Sequence, residues 1–256
     1  MSVGSERVRV DRTGGRATVT WSRPPVNALD ITTLQELATA LRSEAVRSAH
    51  VVVLRGADHR WSAGFAVEDH LMERVDAMFG AFRDLLEAFG GVPGPTIGQV
   101  EGPCLGGGLE ILGVCDLAFA AASATFGQPE IRLGVFPPLG AAEAPSTIGP
   151  KRAADLLFLG DTMTAARAEA IGLVSRVVPD ETIDEEVQRV ADRLQGFRLE
   201  ALVLLKRATR EDPTLSKSRL ERAERIYYEL MELPGAEEGL HAFLEKRPPV
   251  WPSPGR

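Results

Sequence analysis

Cys104-Leu105-Gly106-Gly107-Gly108-Leu109-Glu110 is the stretch that most limits what this chain can fold into. Glycine loses more conformational entropy on folding than any other residue, so three in a row persist only where a backbone must approach something closely or take unusual angles. A short strand pattern, Thr96 to Val100, leads into the run, and Leu109 to Leu117 reads as an apolar helix after it. The glycines therefore sit at a helix N-terminus, where free N–H groups and the positive dipole end can hold an anion or a developing oxyanion. Glu110 falls in the first turn, and a second carboxylate, Glu130, comes later in Gly127-Gln128-Pro129-Glu130. Oxyanion donors beside two carboxylates suggest acid–base chemistry next to a carbonyl.

The surrounding chain predicts an α/β fold. Val8 to Trp21 alternates around Gly14-Gly15, as a β-hairpin does. Asp30 is placed to cap a helix from about Ile31 to Ala45. Val51-Val52-Val53-Leu54 is a β-branched run, typical of a strand buried on both faces. A helix from about Arg74 to Phe89 carries an apolar stripe and ends at Gly90-Gly91. Pro137-Pro138-Leu139-Gly140 reads as a rigid loop and Val174 to Val178 as a strand. Residues 1–180 read as a mixed core holding the active site, and 181–256 as a nearly all-helical region without a linker.

Net charge −7 and a pI of about 5.3 argue against nucleic-acid binding. No apolar run reaches membrane-spanning length, and the first residues are too polar for a signal peptide. The cysteines, Cys104 and Cys115, lie in apolar surroundings with no metal-ligand spacing. A reduced, cytoplasmic protein without metal or cofactor is expected.

Taken singly, the site residues have ordinary explanations. A Gly run is commonly a tight turn with close helix packing. Glu110 could simply complement the helix dipole, although Leu109, Ile111 and Leu112 around it would raise its pKa. Glu130 could equally be a surface residue paired with Arg132. Asp116 reads as structural, and Glu143 as an extra carboxylate nearby.

Together the segments are more specific. Arg23-Pro24-Pro25-Val26-Asn27-Ala28-Leu29-Asp30, Trp61-Ser62-Ala63-Gly64-Phe65, the Gly run, Cys115-Asp116, and Phe126 to Gly134 occur in an order and spacing that resemble the crotonase superfamily. Ala165 to Val174 and the tail Glu238 to Arg247 extend this likeness to the enoyl-CoA hydratase/isomerase family over nearly the whole length. The resemblance implies a spiral core of repeated ββα units with a C-terminal helical trimerisation region, in a homotrimer or dimer of trimers. It implies an acyl-CoA thioester substrate, so that coenzyme A arrives with the substrate. The oxyanion hole would comprise the Phe65 and Gly107 N–H groups, flanked by Gly64, Gly106 and Gly108. Glu110 and Glu130 would share the reacting water. Asn27, Ala28, Leu29 and Ala63 would lie along coenzyme A, with Phe243 and Lys246 reaching in from a neighbouring subunit.

Two segments depart from the common hydratase pattern. The usual I-P-G-x-G-G-T is here Val135-Phe136-Pro137-Pro138-Leu139-Gly140-Ala141, and A-G-A-D is Ala63-Gly64-Phe65-Ala66-Val67-Glu68-Asp69-His70. Both are similar to the cyclohexa-1,5-diene-1-carbonyl-CoA hydratase branch of anaerobic aromatic degradation, with Phe136 and Pro137 along the acyl pocket. Hydration or dehydration of a conjugated enoyl- or dienoyl-CoA is the first expectation. A double-bond isomerase, on coenzyme A or on an acyl carrier protein, is the second. A non-catalytic CoA-binding subunit is the third.

Overall fold

The computed structural model describes residues 2–5, 7–209 and 213–251. Its strands are β1 (Ser2–Gly4), β2 (Val8–Thr13), β3 (Arg16–Trp21), β4 (Val51–Gly56), β5 (Thr96–Val100), β6 (Pro103–Leu105), β7 (Leu117–Ala121), β8 (Thr125–Gly127), β9 (Thr162–Thr164) and β10 (Arg176–Val178). The helices are α1 (Ile31–Arg42), α2 (Glu44–Arg47), α3 (Val75–Gly90), α4 (Gly107–Gly113), α5 (Pro138–Ile148), α6 (Pro150–Leu159), α7 (Ala165–Ala170), α8 (Ile183–Gln195), α9 (Leu199–Thr209), α10 (Pro213–Met231) and α11 (Glu238–Leu244).

Seven strands form one sheet in the order β1-β2-β3-β4-β5-β7-β10. The first three are antiparallel, with Val10 opposite Val19 in the hairpin, and from β3 onward every pairing is parallel. A parallel sheet needs both faces covered, and β4 shows how. Val52 and Leu54 belong to the large core with Leu34 and Leu37 of α1 and Phe82 and Leu85 of α3. Val51 and Val53 face the other way, onto Ile183, Val187 and Ala191 of α8. Asp30 caps α1 by accepting from the Thr33 N–H at 2.8 Å.

A second, small sheet runs β6-β8-β9. After β5 the chain leaves the large sheet and joins the small one as β6; after β7 it repeats the step as β8. An isolated parallel bridge, Ser62 to Cys104, adds the turn after β4 to the same layer. The core is therefore a spiral of repeated strand pairs and helices. Its rungs in the small sheet run Ser62, Cys104, Phe126, Met163.

The structure corrects three local readings. The helix after the glycines stops at Gly113, because Asp116 turns the chain back into the sheet and accepts from Thr96 N and Oγ1 at 2.7 and 2.8 Å. Pro137-Pro138-Leu139-Gly140 is not a rigid loop: Pro138 is the first residue of α5, where its fixed φ suits a helix and its missing N–H costs nothing. The strand expected from Val174 covers only Arg176–Val178. The small-sheet strands are only three residues long, too short for any alternation to show.

The C-terminal helices are packed onto the core. Besides α8 on the sheet, α10 lies against α5, and α11 against the 3-10 turns Val67–His70 and Pro129–Leu133. Buried Lys206 of α9 donates to the Gly94 carbonyl at 2.8 Å and pairs with Asp116 at 2.7 Å. Removing one partner of a buried ion pair is costly, so Lys206→Ala should destabilise the fold by about 2–4 kcal/mol. The shift of the urea unfolding midpoint measures this.

Candidate active site

Three consecutive rungs of the small sheet place three distant segments at one end of it. Ser62, Leu105 and Gly127 lie in strands or bridges that run parallel, so the segments leaving them emerge on the same side. Those segments are Ala63-Gly64-Phe65, Gly106-Gly107-Gly108 and Gln128-Pro129-Glu130. Backbone bonds fix the first two together, with Leu105 N donating to Ser62 O at 3.0 Å and Ser62 N to Pro103 O at 2.9 Å. Gly106 N in turn donates to Gly127 O at 3.0 Å, tying in the third.

Each glycine of the run makes room for a particular neighbour. A Cβ on Gly106 would lie 2.5 Å from Glu130 Oε1, one on Gly107 2.3 Å from the Phe65 ring, and one on Gly108 2.8 Å from Ser62 Cβ. Gly106 also takes φ 50°, in the left-handed region. Neither the Phe65 nor the Gly107 N–H donates to any acceptor among the described residues. Gly107 is the first residue of α4, so its N–H has no intrahelical partner. Trp61 holds this arrangement: its indole N–H donates to the Gly108 carbonyl at 2.8 Å, and Trp21 packs edge-on against it and donates to its carbonyl at 3.0 Å.

Glu110 and Glu130 are both buried, and neither has a cationic partner among the described residues. Glu110 Oε1 accepts from Gly140 N at 2.8 Å, and the neighbouring Leu139 N–H also favours its charged form. Both N–H groups are in the first turn of α5, so Glu110 caps that helix from another element. Gln128, with its amide turned to suit its neighbours, donates to both Glu130 oxygens at 3.2 Å and to Gly106 O at 3.3 Å. Burial raises Glu110 to about 7, the two helix N–H groups opposing it. Burial, and then the charge of Glu110, raise Glu130 to about 8. Near neutral pH the pair can thus hold an acid and a base side by side.

Residues 11–254 match the family described as enoyl-CoA hydratase/isomerase. The chain belongs to the enoyl-CoA hydratase/isomerase family. A probable enoyl-CoA hydratase of Rhizobium meliloti is 34% identical over 249 residues, which cover 94% of this chain and 96% of that one. A cyclohexa-1,5-dienecarbonyl-CoA hydratase of Thauera aromatica is 33% identical over 256 residues, 96% of each chain. Among solved structures, an enoyl-CoA hydratase/isomerase from Pseudoalteromonas atlantica superimposes with a TM-score of 0.85 at 26% identity, covering 96% of this chain and 100% of that one. Pseudomonas aeruginosa OdaA gives 0.83 at 29% identity, with 94% and 99% covered. The fold is the crotonase fold.

In this member of the enoyl-CoA hydratase/isomerase family, the segments that depart from the common pattern meet in one apolar cluster. Val67, Val135, Phe136 and Phe65 pack with Phe79 and Tyr227. Phe136 is half-buried and Pro137 is buried at the start of α5. The other sequence candidates are more dispersed. Leu29 is fully buried and joins the Phe65 loop through its backbone, its N donating to Gly64 O at 2.9 Å and its O accepting from Ala66 N at 3.0 Å. The Asn27 side chain ties its loop to the segment after β4: Oδ1 accepts from Arg23 N within the loop, and Nδ2 donates to Ala57 O and Arg60 O across to that segment. Ala28 and Ala63 are half-buried beside it. Phe243 is 57% exposed and Lys246 is on the surface, at and just past the end of α11. Glu143 is held near Arg219, at 3.7 Å.

Trp61, Gln128 and Tyr227 were not singled out by sequence reasoning. Trp61 and Gln128 lie inside the motifs; only their hydrogen bonds reveal what they do. No group of three or more His, Cys, Asp or Glu side chains among the described residues could hold a metal ion. No helix there is long and apolar enough to cross a membrane.

The glutamates also shape stability. The native state holds protons that the unfolded chain releases above its ordinary carboxyl value of 4.5, so rising pH through about 7 and 8 costs stability. Glu130→Gln should match the parent at pH 4 and be more stable at pH 8, by on the order of 3 kcal/mol. Urea midpoints across this pH range read the sign.

Proposed function

We propose that the chain is an acyl-CoA hydratase, adding water across a conjugated enoyl- or dienoyl-CoA thioester. The observation that carries this is the pair of buried carboxylates that have no cationic partner, beside two backbone N–H groups that have no acceptor, among the described residues. The Phe65 and Gly107 N–H groups receive the thioester carbonyl oxygen. Their hydrogen bonds strengthen as that oxygen becomes an enolate, which is stabilisation of the transition state over the ground state. Glu110, the lower of the two and steadied by α5, takes a proton from water as its oxygen bonds to the β-carbon. Glu130, which keeps its proton to higher pH, delivers it to the α-carbon. The same residues serve the reverse elimination. Coenzyme A comes with the substrate, so the reaction calls for no resident cofactor.

Likeness to the Thauera aromatica hydratase, together with Val67-Glu68-Asp69-His70 and Val135-Phe136-Pro137, favours a conjugated or cyclic acyl group over a short linear one. Residues 181–256 are the oligomerisation region in this reading, with a trimer or dimer of trimers as the assembly. Exposed Leu204 and Leu205 of α9 and Phe243 of α11 support it, since apolar side chains of this size on a surface suit a subunit contact. The carrier is coenzyme A, with acyl carrier protein as the other candidate.

Incubation of the purified protein with linear and cyclic enoyl- and dienoyl-CoA thioesters should give a product heavier by one water. Glu110→Gln and Glu130→Gln should each lower kcat by about 10²–10⁴-fold. Full activity in either variant would defeat the two-carboxylate mechanism. A shifted alkene with deuterium uptake from D2O and no added oxygen would instead indicate an isomerase.

A further inference from the structure

Tyr227 of α10 is fully buried, and its hydroxyl has no hydrogen-bond partner among the described residues. Leaving a buried hydroxyl unsatisfied costs about 1–3 kcal/mol. The next residue shows the ordinary alternative, since the Tyr228 hydroxyl donates to Asp76 Oδ1 at 2.6 Å. The Tyr227 ring is fixed edge-on between Phe79, 5.0 Å away, and Phe136, 5.4 Å away. These rings belong to the cluster that also contains Phe65 and Val135, the wall next to the proposed thioester site. Phenylalanine would fill such an apolar socket without an orphan oxygen.

The hydroxyl is also a committed donor. Burial, then the charges of Glu130 and Glu110, push the phenol pKa up, so the proton stays on. The two glutamates are near enough to be felt electrostatically, yet neither accepts from it. Its acceptor is therefore left to a molecule arriving from outside, on the side of Phe136 and the glutamates.

We propose that Tyr227 is a specificity-determining residue, whose hydroxyl donates a hydrogen bond to an oxygen on the acyl chain beyond the β-carbon. The preferred substrate class is then an oxygen-bearing enoyl thioester, such as a hydroxylated or keto-substituted one. This rests on the hydratase reading above and names its substrate class. A buried group built to pair with substrate penalises analogues that leave it unpaired, and far more strongly than an apolar pocket rejects an extra methylene.

The test compares enoyl-CoA thioesters of equal chain length, one a plain hydrocarbon and the others bearing a hydroxyl at the γ, δ or ε carbon in turn. The parent enzyme should favour at least one hydroxylated compound by tenfold or more in kcat/KM. Tyr227→Phe should abolish that preference, losing about 10–100-fold on the hydroxylated compound and keeping its rate on the plain one. Its melting temperature should be unchanged or higher, since the orphan oxygen is gone. An equal loss on every compound would overturn the proposal and make Tyr227 a support for the reacting water or the fold. A parent preference for the plain chain would overturn it too. Calorimetric binding of the saturated, unreactive counterparts separates the two levels of inference. If the parent binds the hydroxylated chain tighter and Tyr227→Phe does not, the contact stands even without turnover, and only the hydratase reading fails. If all bind alike, the contact is refuted.

Discussion

Two buried carboxylic acids with no cation beside them among the described residues are the constraint on which this structure turns. A charge in such a place must be neutralised, solvated by fixed dipoles or given up. Here the answer is divided. Glu110 is placed on the N-terminus of α5, which offers N–H groups to its charged form, while Glu130 has a neutral amide, Gln128. Both keep their protons to unusually high pH. The proton inventory of the pair is thereby held near neutrality by surroundings that would suit no purely structural ion pair.

The same constraint accounts for the local chain. The glycines are needed because Glu130, Phe65 and Ser62 occupy the volume where side chains at 106–108 would be. Trp61 and Trp21 brace that crowded strand end from beneath, with both indole N–H groups spent on backbone carbonyls. Crowding and hydrogen bonding together leave the Gly107 and Phe65 N–H groups without an acceptor among the described residues.

Much of this was legible in the sequence, for physical reasons that differ by element. The hairpin, the Asp30 cap, the doubly buried β4 and the helix α3 announce themselves through period and local chemistry, which need no partner to be read. The Gly run and its two glutamates were visible because glycine is expensive and a carboxylate among leucines is conspicuous. The start of α5 was not, because Pro-Pro-Leu-Gly is turn chemistry until a remote carboxylate caps it. Three-residue strands carry no period at all. The amide of Asn27 pins its loop to the segment after β4, a pairing that no local sequence signal carries. Tyr227 was hidden most deeply, since its interest lies in a bond it does not make to any described residue.

The rungs Ser62, Cys104 and Phe126 have a consequence for how such a chain can diverge. Each rung exports its own short segment, and two of the three contribute backbone rather than side chains. A backbone donor survives substitution of the residue that carries it, so the side chain at 65 can be re-chosen while its N–H stays where the sheet puts it. The wall formed by Phe65, Phe136 and Tyr227 can then be rebuilt piecemeal from three separate elements. The spiral works as a fixed frame with interchangeable panels: the chemistry is written in the main chain, and the choice of acyl group in side chains that the frame leaves free to change.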